Sequence, residues 1–498
     1  MVSLEKSINV IFVTVFLLSD IEFYTVIHYS TKLYCMFFQH VYDKSLAQAS
    51  YFIGCQKAGI AAVIDPKRDV DTYLEIAEQN KMKITHIFET HIHADFLTGS
   101  RELAAITGAE MYLSDEGGKG WEYEFPHHGL KHGAVIMVGN LKFEVLHTPG
   151  HTPESISFLL TDLPASKEPV MLFTGDFVFV GDIGRPDLLE KAAGMVGTQE
   201  IGANQMFQSI HLFSDLPDYV QVWPGHGAGS ACGKALGAVP SSTVGYEKKR
   251  NWAFQYGTDK EGFVQFLLAD QPEPPKYFAK MKELNKVDRP LLTVVPELRQ
   301  LSPADLQAAM DKGVKVIDTR VKTAVQQGFL QGTLHIQGNN SFATWMGWFV
   351  NYDEPFILIA APNQLNDLTR KLMRIGMDNF YGYVDANLLP TEYKDKLLLA
   401  NMADIADVKN NSNAVIIDVR GISEYNSGHI QGAKHLFVGT LLNNLDKVPK
   451  EKPVIIHCQG GDRSAIAYSL LLKNGYTNIK NYSGGINEWV KEQQPIVS

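Results

Sequence analysis

Cysteine is scarce, with four residues in a chain of 498. That is too few for a disulfide framework, so each thiol is read singly and a reducing, cytoplasmic setting is expected. Long apolar runs are missing too. The most conspicuous, Val10 to Leu18, is about half the roughly 20 residues a spanning helix needs, and no membrane role is expected. Lys6 precedes that run, but no small-residue cleavage site follows it. Residues 1–35 therefore read as an N-terminal extension, with Met36 as an alternative start. Excess positive charge is absent: the formal net charge is −10, which argues against a nucleic-acid partner. What the chain does have is 45% hydrophobic and 20% charged residues, which excludes a mostly disordered protein. Its length predicts about three domains.

From Met36 to about Ala269, short β-rich runs alternate with turns and helical stretches. Ala61 to Ile64, Ile84 to Phe88, Phe143 to Leu146, Val170 to Phe173 and Val220 to Val222 read as buried strands. Gln271-Pro272-Glu273-Pro274-Pro275 breaks regular structure and reads as a linker. Two similar segments follow. Val316-Ile317-Asp318-Thr319-Arg320 recurs as Ile416-Ile417-Asp418-Val419-Arg420, and Gly328 to Gly332 recurs as Gly428 to Gly432, both at an offset of 100. Pro355 to Ile359 recurs as Pro453 to His457 at an offset of 98. This spacing means a duplicated domain and not a solenoid. Strand-then-helix alternation in each copy predicts a small α/β domain with a parallel sheet.

Sixteen histidines are present, and several fall at strand exits. Thr90-His91-Ile92-His93-Ala94-Asp95-Phe96 follows an expected strand directly. Thr148-Pro149-Gly150-His151, Phe173-Thr174-Gly175-Asp176 and Trp223-Pro224-Gly225-His226 each run from a strand into a glycine turn ending on a ligand-type residue. Loops at strand ends can converge several donors on one point, as a metal ion requires. A metal site is expected from this set.

The set resembles the metallo-β-lactamase superfamily over about Met36 to Ala269, which implies an αββα sandwich with a metal site at one edge. The superfamily's His-x-His-x-Asp-His motif ends here on Phe96, which has no lone pair to donate. Dinuclear zinc hydrolases such as glyoxalase II use that last histidine for their second metal, so a mononuclear site is expected. Two histidines and a carboxylate leave three positions open, as in non-haem Fe(II) oxygenases. Within the superfamily the chain resembles the persulfide dioxygenases, including the branch fused to rhodanese domains. Carried over by position, this implies one Fe(II) per chain, with zinc the alternative, held by His91, His151 and Asp176. The residues alone leave His91 and His93 open as ligands; the resemblance selects His91. His93, Asp95 and His226 are implied to orient ligands or bound water, or to be alternative metal ligands.

Gly181-Asp182-Ile183-Gly184-Arg185-Pro186-Asp187 follows the Asp176 turn. Arg185 could pair with an anionic substrate or with the carboxylates of Asp182 or Asp187. Similar dioxygenases carry an Asp-Ile-Gly-Arg element here, which favours a substrate role. Cys232, six residues after His226, reads as a buried small residue or a substrate-facing thiol.

Near the C-terminus, the strand Val454 to His457 ends in Cys458-Gln459-Gly460-Gly461-Asp462-Arg463-Ser464, with a helical run from Ala465 to Lys473. Glycine N–H groups (Gly460, Gly461) and a helix N-terminus favour a thiolate, and Arg463 can bind an anion from the same loop. Together with Asp418-Val419-Arg420, Glu424-Tyr425 and Gly428 to Ala433, this resembles the rhodanese family, which carries sulfane sulfur on a cysteine. Phosphatase loops are Cys-x5-Arg; the tighter Cys-x4-Arg loop suits sulfur. In the first copy, Ala360 stands where the second has Cys458, and Leu365 where it has Arg463, so that copy is expected to be silent.

The expected fold class is α/β: a sandwich at 36–282, a degenerate rhodanese domain at 283–397 and an active one at 398–498. The resemblance implies oxidation of a small-molecule persulfide by O2 to sulfite and thiol, with Cys458 passing sulfur to or from thiosulfate or sulfite. A homo-oligomer is also expected. The alternatives are a glyoxalase II-type zinc hydrolase with an attached sulfurtransferase, and a sulfur-sensing scaffold that uses its rhodanese modules for binding. The carrier thiol (glutathione, coenzyme A, bacillithiol or free sulfide) is left open.

Overall fold

The structure, a computed structural model, describes residues 9–11, 28–30, 36–193, 197–234, 236–410 and 413–498. Apart from a short antiparallel pairing of Asn9–Ile11 with His28–Ser30, the expected extension at 1–35 lies outside the described residues. Among the described residues, no helix is long and apolar enough to cross a membrane.

Two six-stranded sheets form the first unit. One runs in the order Met36–Asp43, Gln48–Cys55, Ile60–Ile64, Lys83–Phe88, Glu110–Ser114 and His128–Leu130. The other runs Ser242–Thr243, Gln221–Pro224, Met171–Gly175, Ile156–Asp162, Leu141–His147 and Val135–Val138. Strand alternation sorts the apolar residues between layers. Tyr51, Ile53 and Cys55 face the second sheet and pack with Phe88, Phe143, Phe158 and Phe173. Phe52, between them in sequence, faces outward against the helix Asp71–Gln79 through Tyr73 and Ile76. Helices Thr198–Ser214 and Lys260–Leu268 cover the other outer face. This is the expected αββα sandwich. Each fully buried phenylalanine contributes about 1.5–3 kcal/mol.

After an irregular stretch at 271–275, the helix Phe278–Lys286 leads into two four-stranded, wholly parallel sheets. Their orders match: Leu334–His335, Lys315–Asp318, Phe356–Ala360, Phe380–Asp385, then Lys434–His435, Val415–Asp418, Val454–His457, Ile479–Tyr482. The internal repeat thus has a structural counterpart. The expected boundary at 282/283 falls inside the helix Phe278–Lys286, and Leu398 still pairs with Phe329 of the first copy. One continuous apolar cluster joins Phe96, Leu97 and Phe179 of the sandwich to Tyr277 and Met281 of that helix, and to the cores of both repeats.

Candidate metal centre and cysteine loop

The histidine motifs converge because each sits where a strand of the sandwich ends. His91, His151 and Asp176 are buried, and their donor atoms lie within 4.8 Å of one another. Asp176 Oδ2 is 3.5 Å from His151 Nε2 and 4.0 Å from His91 Nε2. Burial, reinforced by the neighbouring His93, His151 and His226, pushes the His91 pKa well below its usual value, so its ring stays neutral and keeps a lone pair. The other ring nitrogens are oriented by the scaffold: His91 Nδ1 is 3.0 Å from Thr90 Oγ1, and His151 Nδ1 is 2.9 Å from the Arg185 carbonyl.

A second trio, Asp95, His226 and Cys232, meets the same distance limit. His226 Nε2 lies 3.2 Å from Asp95 Oδ2 and 3.4 Å from Asp176 Oδ1, so Asp176 stands between the two groups. Cys232 is buried rather than exposed, and burial plus the Asp176 and Asp95 carboxylates push its thiol pKa well up. His93 packs its ring 4.0 Å from that of His91 but belongs to neither trio. Its Nε2 is 3.2 Å from Asp65 Oδ1; burial opposes its charge, but Asp65 outweighs that and raises its pKa to about 9. Phe96 packs its ring 4.4 Å from that of His93 and donates nothing.

The donor set fits a metal ion. His91 Nε2, His226 Nε2 and all four carboxylate oxygens of Asp95 and Asp176 are buried without a hydrogen-bond partner. Leaving so many buried polar atoms unpaired costs free energy that coordination would recover.

Several supporting residues carried no local signal. Asp65 ends the strand Ile60–Ile64 and accepts hydrogen bonds of 2.8 Å from both Thr90 N and Thr90 Oγ1. Asn285 Nδ2 donates to the His93 and Phe96 carbonyls at 2.8 Å, and its Oδ1 accepts from Thr98 N at 3.0 Å. Tyr277 donates to the Asp95 carbonyl at 2.9 Å. The metal-side loop is therefore clamped by a helix almost 200 residues away in sequence. Arg185 takes the second of its two readings, against the substrate role favoured above. It is fully buried, forks onto Asp187 with two 2.7 Å bonds and reaches the Ala231 carbonyl at 3.2 Å. Three of its five donors serve the loop, and Asp187 already partners its charge.

At the cysteine loop, Cys458 is buried and its sulfur accepts from Gly461 N at 3.1 Å. Gly461 has φ +101°, a region open to glycine, and caps the helix Asp462–Lys473. That helix begins three residues earlier than expected, because the glycine turn delivers the chain straight into it. Arg463 is consequently helical rather than in the loop. Its guanidinium is forked onto Glu424, one contact at 2.7 Å, so its charge is already partnered. Gly460 lines the cavity beside Cys458. In the sheets, Ile359 pairs with Asp318 as His457 does with Asp418, so Ala360 occupies the place of Cys458. Pro362–Gln364 forms a single helical turn where the second copy has its glycines.

A sequence model of the metallo-beta-lactamase superfamily matches residues 45–226, and one of the rhodanese-like domain matches 401–492. A solved metallo-beta-lactamase from Staphylococcus aureus subsp. aureus COL is 46% identical, with a TM-score of 0.64, over 70% of this chain and 99% of that one. The chain belongs to the metallo-beta-lactamase superfamily. To its superfamily domain it adds a C-terminal rhodanese-like domain, both of enzyme type. The first repeat shares the strand order of that rhodanese-like domain but lies outside the residues matched. A hydroxyacylglutathione hydrolase of Rhodospirillum rubrum is 32% identical over 35% of this chain and 60% of its own length. The chain thus spans about 60% of that relative. ETHE1 from Myxococcus xanthus is 29% identical over 50% of this chain and 96% of that one, with a TM-score of 0.40.

Proposed function

We propose that this superfamily member is a mononuclear iron persulfide dioxygenase joined to a sulfurtransferase. The observation that carries the reading is the buried trio of two histidines and one carboxylate beside Phe96, the residue that replaces a further nitrogen donor. His91, His151 and Asp176 would hold Fe(II), which when bound supplies Lewis acidity and a redox couple suited to O2. The overall reaction is RSSH + O2 + H2O giving RSH, SO3²⁻ and two protons. The chain's own residues orient and enclose. The Arg185 carbonyl fixes the His151 ring, Asp65 holds Thr90 and faces His93, and Asn285 with Tyr277 keeps the loop around Asp95 in place. At the second site, Cys458 takes up sulfane sulfur, its sulfur held by the Gly461 N–H at the start of the helix Asp462–Lys473. The first repeat is proposed to lack catalysis of its own.

One observation favours a second reading. Asp95, His226 and Cys232 form a further donor trio, which suits a dinuclear zinc thioester hydrolase, and the similarity to hydroxyacylglutathione hydrolases points the same way. Metal analysis after anaerobic purification, with O2 uptake on a persulfide panel and hydrolysis on a thioester panel, separates the two. One iron per chain with persulfide-dependent O2 uptake supports the first reading. Two zinc ions with rapid thioester hydrolysis would establish the second.

A further inference from the structure

The cavity over Cys458 has two walls, and only one belongs to the catalytic copy. It measures about 390 Å³ and is lined by Cys458, Gln459 and Arg463 on one side and by Lys322, Ser341 and Trp345 of the first repeat on the other. The Lys322 ammonium contacts the Gly460 carbonyl and lies 2.8 Å from Asp462 Oδ1, while Asn339 Nδ2 donates to Asp462 Oδ2 at 3.1 Å. These contacts tie the non-catalytic copy to the first turn of the helix behind the nucleophile. At the equivalent place the second copy carries Ile422, 55% exposed and unable to act as a cation. The first repeat thus has Ala360 where its sister has Cys458, yet presents a lysine to that cysteine's loop.

We propose that the two repeats form one composite substrate site, in which Lys322 and Trp345 bind the body of an anionic, low-molecular-weight thiol persulfide. This rests on the sulfurtransferase reading of Cys458. A volume of about 390 Å³ falls within the range of small-molecule pockets, roughly 300–1,000 Å³. A sulfane sulfur alone fills only its floor at Cys458. Arg463 is paired with Glu424 as Lys322 is with Asp462, so the charge of the substrate is shared between the two cations. An ammonium has three donors, of which Gly460 and Asp462 engage two. The third meets a carboxylate or phosphate of the carrier, and the half-buried Trp345 indole packs on its apolar part. The Cys458 thiolate then attacks the outer sulfur of R–S–SH. The Cys458 S–S bond forms as the carrier's S–S bond breaks, the proton stays on the transferred sulfur, and RS⁻ departs with the electron pair.

The test uses the full chain with two unreactive probes, S-methylglutathione and S-methyl-coenzyme A, titrated calorimetrically. Lys322→Ala should weaken binding of at least one probe about tenfold, the loss of a charge-assisted hydrogen bond, and Lys322→Arg should restore most of it. Trp345→Ala should weaken it too. In sulfur-transfer assays, Lys322→Ala should raise KM for the matching persulfide and leave the KM for 2-mercaptoethanol persulfide, an uncharged donor, nearly unmoved. Failure of both probes to bind, or binding indifferent to Lys322 and Trp345, overturns the composite site. An equal KM rise for charged and uncharged donors would mean that Lys322 only props the loop, which also overturns it. Lysine-dependent binding without any transfer through Cys458 would sink the sulfurtransferase reading and leave this site standing.

Discussion

His151 is held at both ring nitrogens, by the Arg185 carbonyl at 2.9 Å on one side and towards Asp176, 3.5 Å away, on the other. Replacing it by alanine removes one of three proposed ligands and leaves the Asp176 carboxylate buried with less to compensate it. His151→Ala should therefore lose bound metal and O2 uptake together, read by metal analysis and an oxygen electrode. Full retention of both would remove His151 from the ligand set. Arg185 makes a complementary prediction, because its charge is partnered by Asp187 and it also holds the Ala231 carbonyl. Arg185→Ala leaves the nearly fully buried Asp187 carboxylate with only Lys191 to compensate it, and breaking a buried pair costs up to roughly 3–5 kcal/mol. A large fall in Tm is expected; a stable variant with only a raised KM would return Arg185 to substrate binding.

The helix Phe278–Lys286 and the first repeat act on the metal-side loop as elements. Asn285 satisfies three backbone groups of residues 93–98 from outside the sandwich. Asn285→Ala would leave them buried and unpaired, at about 1–3 kcal/mol each, and should lower both Tm and metal affinity. Beside this helix, Arg374 joins Asp69 and Asp43, Arg370 joins Asp69 and Asp71, and Arg289 with Arg68 encloses Glu102. Burial raises the pKa values of Asp69 and Glu102. Hydrogen bonds and charge from Arg374 and from Arg289 outweigh it, so both end below their ordinary 3.8 and 4.5. A depressed carboxylate contributes stability that is present above its unfolded pKa and lost as pH falls through the folded one. The part of the attachment held by Asp69 and Glu102 should thus be insensitive to pH from neutrality down to about 4.5 and weaken below that, as followed by limited proteolysis or hydrogen exchange. Loosening that sets in well above this range would assign the pH dependence to other groups.

Across the whole molecule, the sites differ in how far they depend on one another. Cys458 belongs to its own repeat and is reached through a cavity that no metal-centre residue lines. Cys458→Ser should abolish sulfur transfer, since a hydroxyl neither ionises near neutrality nor forms a persulfide, and should leave oxidation of added persulfide largely intact. Equal loss of both activities would show that the sites are coupled. Folding is less modular. The sandwich, the connecting helix and the repeats share one apolar cluster, so calorimetry should show the sandwich and the first repeat melting together. Two well-separated transitions for these parts would contradict that.

Much of this protein was legible in the chain because the signals are local. Short β-rich apolar runs marked the sandwich strands, a strand exit marked His91, glycine turns at strand ends marked His151, Asp176 and His226, and an offset of 100 marked the repeat. A motif records what its neighbours along the backbone can do. It does not record which distant group will arrive beside it. Cys232 joins Asp95 across 137 positions, Asn285 reaches back to His93, Lys322 meets the Cys458 loop of the other repeat, and Arg463 is claimed by Glu424. Each of these depends on how sheets, the connecting helix and repeats pack, and packing is set by long-range burial and charge pairing that leave no periodic trace in sequence.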